Sequence, residues 1–282
     1  REKGGGGEGE RRGEERERRR GRRGRGREEG GEGEGKKRRG EGRRGRGREE
    51  GGRGEWEGGW GRVKKGEERG ETGGKWGIVG VSLRSPDTRD ALRASDWSYT
   101  SVTLAPEGDK LREIAVLNDV LVAPENPKAV IAAMADPAVQ IVTLTVTEKG
   151  YCHNPATGAL NLDHPDIWHD LAHDLPVSAP GYLVRALAAR HVAGVAPFTV
   201  LTCDNLPENG KLVRGLVLEL AARIDPALAN WIATEGRFPS TMVDRITPAT
   251  TGADIARIAT LTGVADAALV MHESFSQWAV ED

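Results

Sequence analysis

The sequence predicts an α/β protein built on a doubly wound, mostly parallel sheet that is incomplete and preceded by a disordered tract rich in Gly, Arg and Glu. Two observations predict it. From Trp76 onward, short β-branched apolar runs alternate with segments of helical period, the signature of strand–helix–strand units. Before that point the composition is of another kind. Residues 1–75 hold 27 Gly, 20 Arg, 6 Lys and 18 Glu, with Trp56, Trp60 and Val63 as the only apolar side chains besides the glycines. Three such side chains cannot offset the entropy of ordering 75 residues, so the tract is expected to be disordered. The domains expected are therefore 1–75, low-complexity, and 76–282, a partial α/β domain.

The elements follow in order. WGIVGVSL (76–83) is an apolar strand. Residues 87–95 read as a helix, 99–104 as a strand ended by Pro106-Glu-Gly108, and 114–122 as one more strand. Pro127 opens a helix through Ala135, and Asp136-Pro137 stops it. VQIVTLTV (139–146) is the clearest strand, followed by a loop marked by Asn154-Pro155 and Thr157-Gly158. Helices are expected at 182–193, 212–222, 225–234 and 251–260, with strands at 198–202 and 267–271.

The tract carries +8 net charge and the remainder −10, with 15 Lys and Arg against 25 Asp and Glu. The whole-chain value of −2 averages two unlike objects. The first 50 residues use only Gly, Arg, Glu and Lys, and GRRGRGREEGG begins at both Gly21 and Gly42. Codons made purely of purines encode those four amino acids alone, so a purine-rich repeat read as protein accounts for the tract. An Arg/Gly-rich segment that tracks phosphates is the functional alternative. Glu nearly matches Arg, and no aromatic precedes Trp56, which weighs against nucleic acid as a partner. No apolar run approaches the roughly 18–20 residues that span a bilayer, so no membrane partner is expected. Two cysteines without a CxxC pattern fit a reducing, cytoplasmic setting. His169 and His173 stand four apart without the glutamate of HExxH, and no metal centre is expected.

In doubly wound sheets, ligands bind beyond the carboxyl ends of the strands. That rule selects RSPD (84–87), TEKGY (147–151) and CDNLPENG (203–210). The last packs two amides, two carboxylates and a thiol into eight residues. An asparagine there can donate to a substrate oxygen without titrating, but helix capping and Asx-turns account for the same residue types. Asp244 and Arg245 are adjacent in FPSTMVDRITP (238–248) and read equally as a structural ion pair.

Taken together, WGIVGVSLRSPDTRDAL (76–92), TLTVTEKGY (143–151), FTVLTCDNLPENG (198–210), FPSTMVDRITPATT (238–251) and QWAVED (277–282) occur in order. The chain resembles in them the long-chain polyol dehydrogenase family of mannitol 2-dehydrogenases and fructuronate and tagaturonate reductases. The resemblance implies a Rossmann-like domain and an NAD(P)-dependent, metal-independent oxidoreductase. It implies interconversion of a sugar alcohol or hexonate with the matching ketose or ketohexuronate. By motif match, Asn205 is expected to bond the reacting oxygen, and Val243 and Asp244 to face the nicotinamide. Thr145, Thr147 and Glu148 are expected near the nicotinamide ribose, and Asp87 at the adenosine ribose. NAD is the expected cofactor, with Arg84 leaving room for NADP.

The departures from the family are as specific. A strand and glycine fingerprint are expected before Trp76, where the Gly/Arg/Glu tract stands. The family's general acid/base lysine has no match among Lys110, Lys128, Lys149 and Lys211. The chain is thus expected to be a dehydrogenase domain truncated at both ends, with a gap or a poorly matched strand at the sheet centre. The alternatives are an RNA-binding protein that uses the tract, and a catalytically dead Rossmann-like domain that binds a partner.

Overall fold

The computed structural model describes residues 60–65 and 76–281. Its elements are β1 (Trp60–Lys65), β2 (Trp76–Ser82), α1 (Asp87–Ala94), β3 (Tyr99–Leu104), β4 (Lys110–Ile114), β5 (Leu117–Val122), α2 (Pro127–Ala135), β6 (Val139–Leu144), α3 (Thr147–Gly150), α4 (Pro165–Ala172), α5 (Ala179–Val192), β7 (Thr199–Thr202), α6 (Asn209–Ile224), α7 (Pro226–Glu235), β8 (Thr241–Asp244), α8 (Gly252–Thr262), β9 (Val270–Glu273) and β10 (Gln277–Val280). Apart from Trp60–Lys65, the tract expected at 1–75 lies outside the described residues.

The main sheet runs β5-β2-β1-β6-β7. β2 and β5 are parallel, as are β6 and β7. β1 is antiparallel to both β2 and β6, so β2 and β6 run in the same direction as each other. Four parallel strands therefore surround one reversed central strand. A strand at the centre departs from the expectation that the Gly/Arg/Glu tract supplies none. That expectation rested on side-chain composition, whereas a ladder is made by backbone N–H and C=O groups that any residue but proline carries. The direction follows from the connection. Ten residues, 66–75, link β1 to β2. Parallel neighbours need a crossover of a dozen or more, usually a helix, and shorter links give antiparallel pairs. The register of β1 against β6 shifts between Val63 and Lys64, as that of β2 against β5 does between Ile78 and Val79, whereas β1 pairs with β2 over six residues without a shift.

The core lies between this sheet and α2, α5, α6 and α7. Val139, Leu144, Leu183, Leu187, Leu216, Leu220 and Ile232 are all at most 1% exposed. Each such side chain contributes roughly 1.5–3 kcal/mol of burial free energy. α5 is buried almost all round, which includes Arg190. Its guanidinium donates to the carbonyls of Met134 (3.1 Å), Asp136 (2.6 Å), Val139 (2.6 Å) and Ala196 (2.8 Å) and sits 5.0 Å from the centre of the Phe198 ring. One side chain thus ties the entry to β6 to the turn that precedes β7. Caps set the helix starts. Asn126, Ser178 and Asp225 each accept a backbone N–H ahead of a proline in the first turn, and Thr251 forms a capping box with Asp254.

Two small sheets complete the structure. The expected strand at 114–122 is two strands. β4 folds back on β3 as a hairpin across Pro106-Glu-Gly108, and β5 alone joins the main sheet. β9 pairs parallel with β3 rather than with the main sheet. Val102, Leu269 and Met271 of this sheet pack on Ile258 of α8 in a separate small core. β8 and β10 form an antiparallel ribbon. α4 falls in the segment read from sequence as a loop.

Candidate active site

The carboxyl ends of β2, β5, β6 and β7 share one edge of the main sheet, and the three polar loops selected from sequence all leave from it. The loops after β6 and β7 are bound into one unit by Asp204. Its Oδ2 accepts the Val146 N–H (2.9 Å) and the Tyr151 O–H (2.5 Å), and its Oδ1 accepts the Thr147 N–H (3.1 Å). Tyr151 is 1% exposed. Burial first, then the hydrogen bond to Asp204 and its charge, hold the phenol far above its ordinary pKa, so it remains a donor.

The same loop is tightly wound. Thr147 has φ 62° and Cys152 has φ 53°, left-handed values that are costly for a β-branched residue and rare for any residue but glycine. A Cβ on Gly150 would lie 2.8 Å from the Val146 Cβ, so the one-turn helix α3 closes only with glycine there. The Oγ1 atom of Thr145, at the exit of β6, is buried with no hydrogen-bond partner.

Asn209 joins the third segment to this unit. Its Nδ2 lies 3.0 Å from the Thr202 carbonyl, 3.1 Å from that of Asp204 and 2.8 Å from that of Thr241, and its Oδ1 accepts the Thr241 N–H at 2.9 Å. The Thr241 hydroxyl also donates to the Thr202 carbonyl. A Cβ on Gly210 would sit 2.3 Å from the Phe238 carbonyl oxygen, so residues 238–241 lie directly against the start of α6. β8 begins at Thr241 and pairs with β10, Val243 opposite Trp278 and Asp244 opposite Gln277. Glu281 locks the ribbon back on Ser240 through a carboxylate bond (2.9 Å) and a backbone bond (2.8 Å), and the Ser240 N–H holds that carboxyl below its ordinary pKa.

The residues proposed from sequence are thus brought together in part. Thr145, Thr147, Glu148 and Asn205 are joined through Asp204, and Val243 and Asp244 through Asn209. Asn205, Asp244, Thr147 and Glu148 are exposed and Val243 is half-buried. Asp87 is separate. It opens α1, accepts the Ser85 hydroxyl at 2.8 Å, and follows β2, which β1 separates from β6. Two strand spacings put it roughly 10 Å along the sheet from the other loops. At the ends of β2 and β5, a mostly apolar cleft of about 260 Å³ is lined by Leu83, Ala123, Pro124, Val177 and Tyr182, among others. Asp204, Asn209 and Tyr151 carry the site's geometry but were not distinguished in the sequence. The two asparagines of CDNLPENG divide the roles there: Asn209 is 1% exposed and structural, and Asn205 faces solvent. Burial and the Asp204 charge push the Cys203 thiol up to about 11, which leaves it a poor nucleophile.

A model of the Mannitol dehydrogenase Rossmann domain family matches residues 59–282. The chain belongs to this family. The match begins before the composition break near residue 75 and takes in β1. Mannitol 2-dehydrogenase of Phaeosphaeria nodorum is 46% identical over 210 residues, 73% of this chain and 37% of that protein. An uncharacterized oxidoreductase of Escherichia coli, YeiQ, is 45% identical over 213 residues, 74% of this chain and 44% of that protein. Among solved structures, Pseudomonas fluorescens mannitol 2-dehydrogenase in ternary complex with NAD and D-mannitol matches with a TM-score of 0.71 and 40% identity, over 73% of this chain and 43% of that chain. The chain spans about two-fifths of the length of these relatives. Among the described residues, no helix is long and apolar enough to cross a membrane.

Proposed function

We propose that this chain is the dinucleotide-binding part of an NAD-dependent polyol dehydrogenase that interconverts a sugar alcohol or hexonate with its ketose or ketohexuronate. The observation that carries the reading is the unit built on Asp204 and Asn209. It fixes three family motifs, 145–151, 203–210 and 241–244, at the edge where the four parallel strands of the sheet have their carboxyl ends, the ligand-binding edge of doubly wound folds. The orphaned Thr145 hydroxyl supports it, because a buried polar atom without a partner calls for a ligand group. Thr145, Thr147 and Glu148 would hold the nicotinamide ribose. Asp87 would accept from the adenosine ribose hydroxyls. NAD supplies the hydride acceptor when bound. Asn205 would donate its amide N–H to the substrate oxygen as negative charge grows there.

The remaining requirement is a base for the alcohol proton. A lysine does this near neutral pH only if its pKa is lowered. Lys110 and Lys211 pair with Glu107 and Glu208, and the latter raises the Lys211 pKa, the wrong direction. Lys128 and Lys149 are solvent-exposed, outside any water-excluding site. The chain by itself is therefore expected to bind NAD weakly and to turn over no substrate. Calorimetric titration with NAD and with NADP, and assays with mannitol, fructose, mannonate and fructuronate, test this. Weak NAD binding that falls in Asp87→Ala and Thr145→Val is expected. Turnover abolished by Asn205→Ala would overturn the inactivity, and a chain that binds neither dinucleotide would overturn the reading as a whole.

A further inference from the structure

Outside the candidate active site, the ligand atoms of Cys152, His164 and Asp166 all lie within 4.8 Å of one another. The chain brings them together in two steps. Residues 152–161 close on themselves through a bridge between His153 and Leu160, with the Asn161 N–H on the Cys152 carbonyl at 3.0 Å. The Asn161 carbonyl then accepts the His164 N–H at 3.1 Å, which returns His164 to the side of Cys152. His164 caps α4: its Nδ1 accepts the Asp166 N–H at 3.2 Å, a long bond, and Asp166 Oδ2 lies 4.0 Å from the same nitrogen. A metal on this nitrogen would take the lone pair in place of the Asp166 N–H. The Cys152 thiol is buried and donates only weakly, to the Gly150 carbonyl at 3.8 Å. The His164 and Asp166 side chains are 31% and 50% exposed, so one side of the cluster is open to water.

We propose that Cys152, His164 and Asp166 form a binding site for a zinc-class divalent cation, completed by water. One sulfur, one imidazole nitrogen and one carboxylate oxygen with an open fourth position suit zinc and exclude the all-oxygen preference of magnesium and calcium. Tetrahedral zinc bonds of about 2.0–2.3 Å put ligand atoms about 3.3–3.6 Å apart. The contraction needed from 4.8 Å or less falls on the two partly exposed side chains, His164 exchanging its long bond to the Asp166 N–H for the metal. As the metal–sulfur bond forms, the thiol proton passes to water; no oxidant or reductant takes part. The site directly follows Tyr151, so occupancy would clamp the 152–164 segment against the loop that Asp204 holds.

The test uses the untagged full chain and Co²⁺ as a spectroscopic substitute for zinc. One Co²⁺ per chain is expected, with a thiolate-to-cobalt charge-transfer band in the near ultraviolet that Zn²⁺ bleaches. Cys152→Ser should abolish the band and Cys203→Ser should leave it. His164→Ala and Asp166→Asn should each weaken binding by more than the roughly 10–100-fold lost with an outer-shell partner. Circular dichroism of each variant separates ligand loss from unfolding, and Asp166→Asn keeps the His164 cap intact. A band that survives Cys152→Ser, a native chain with no band, or an equal band from chain unfolded in guanidinium would overturn the site. None of these readouts depends on NAD binding or turnover, so the site and the dehydrogenase reading can fail separately.

Discussion

Replacing Asp204 by Asn tests whether one carboxylate organises the site. Three donors converge on it: two backbone N–H groups and the Tyr151 hydroxyl, at 2.5–3.1 Å. A carboxamide has the same shape but only one acceptor oxygen. Turned to keep Val146 N–H and Tyr151 O–H, it faces the Thr147 N–H with its own NH₂. One charge-assisted bond is then lost and two become neutral. Bonds to charged groups contribute about 1.5–3 kcal/mol and neutral ones about 0.5–1.5. Asp204 is partly exposed and water can reach the Thr147 N–H, so the expected cost is reduced to roughly 2–3 kcal/mol. Asp204→Ala should cost more, because the Tyr151 hydroxyl is left buried without an acceptor. Adding Tyr151→Phe to Asp204→Ala should then recover roughly 1–2 kcal/mol, the coupling of a contacting pair. Urea unfolding measures the stabilities, and hydrogen exchange at the Val146 and Thr147 amides reports the loop itself. An Asp204→Asn variant within about 0.5 kcal/mol of the parent, the range of an ordinary surface change, with those amides still protected, would refute the reasoning.

Four further outcomes are expected. Asn209→Ala should destabilise by roughly 2–3 kcal/mol by removing the buried acceptor of the Thr241 N–H and the bonds from its amide, although the Thr202 and Asp204 carbonyls keep the Thr241 hydroxyl and the Leu206 N–H, whereas Asn205→Ala should stay within about 0.5 kcal/mol; thermal unfolding compares them. Arg190→Met removes four hydrogen bonds, those to Met134 and Val139 buried, while the Asp136 carbonyl keeps the Val139 N–H and Ala196 is exposed to water; it should cost about 2–4 kcal/mol, and Arg190→Lys less, by chemical denaturation. Burial holds the Cys152 thiol up at about 12 and Cys203 at about 11, against an unfolded value of 9.0. Their contribution to stability is therefore complete below pH 9.0 and is lost as pH rises toward those folded values; a Cys152→Ala/Cys203→Ala variant should show a flatter decline over that window. Finally, removal of residues 1–59 should leave the sheet intact. Removal of 1–75 opens the facing edges of β2 and β6 and should yield aggregates by light scattering.

The sequence made the strand–helix alternation and the three edge loops legible, because both follow from local pattern and from one topological rule. WGIVGVS and VQIVTL are strands in any context their β-branched runs can find, and polar residues directly after them fall at the carboxyl edge. What was not legible depends on partners far apart in the chain. Asp204 meets Val146 58 residues away, and Asn209 meets Thr241 32 residues away. Nothing local in CDNLPENG separates the clamp from the exposed asparagine. The metal-ligand trio was missed for a related reason. Spacing rules search for ligands on one helix face, and Cys152 reaches His164 only because an irregular turn closes between them.

The central strand shows how fold and chemistry separate. The sheet needs only that the N–H and C=O groups facing inward from β2 and β6 find partners, and Trp60–Lys65 supplies them with a sequence no core would select. A central parallel strand does more: its carboxyl end turns into a helix whose first N–H groups hold a pyrophosphate. Here the central strand is reversed. Trp60, its first residue, pairs with Val81 near the carboxyl edge, and Lys65, its last, pairs with Trp76 at the opposite edge. No turn that follows β1 can therefore deliver a helix N-terminus to the loops of β6 and β7. The loops proposed for the ribose and the substrate leave from the carboxyl edge, while the chain after the central strand is directed to the opposite edge. A domain so arranged can keep its hydrophobic core and its Asp204–Asn209 unit and still bind a dinucleotide weakly, because core and ladder depend on burial and backbone pairing alone, and phosphate binding depends on strand direction.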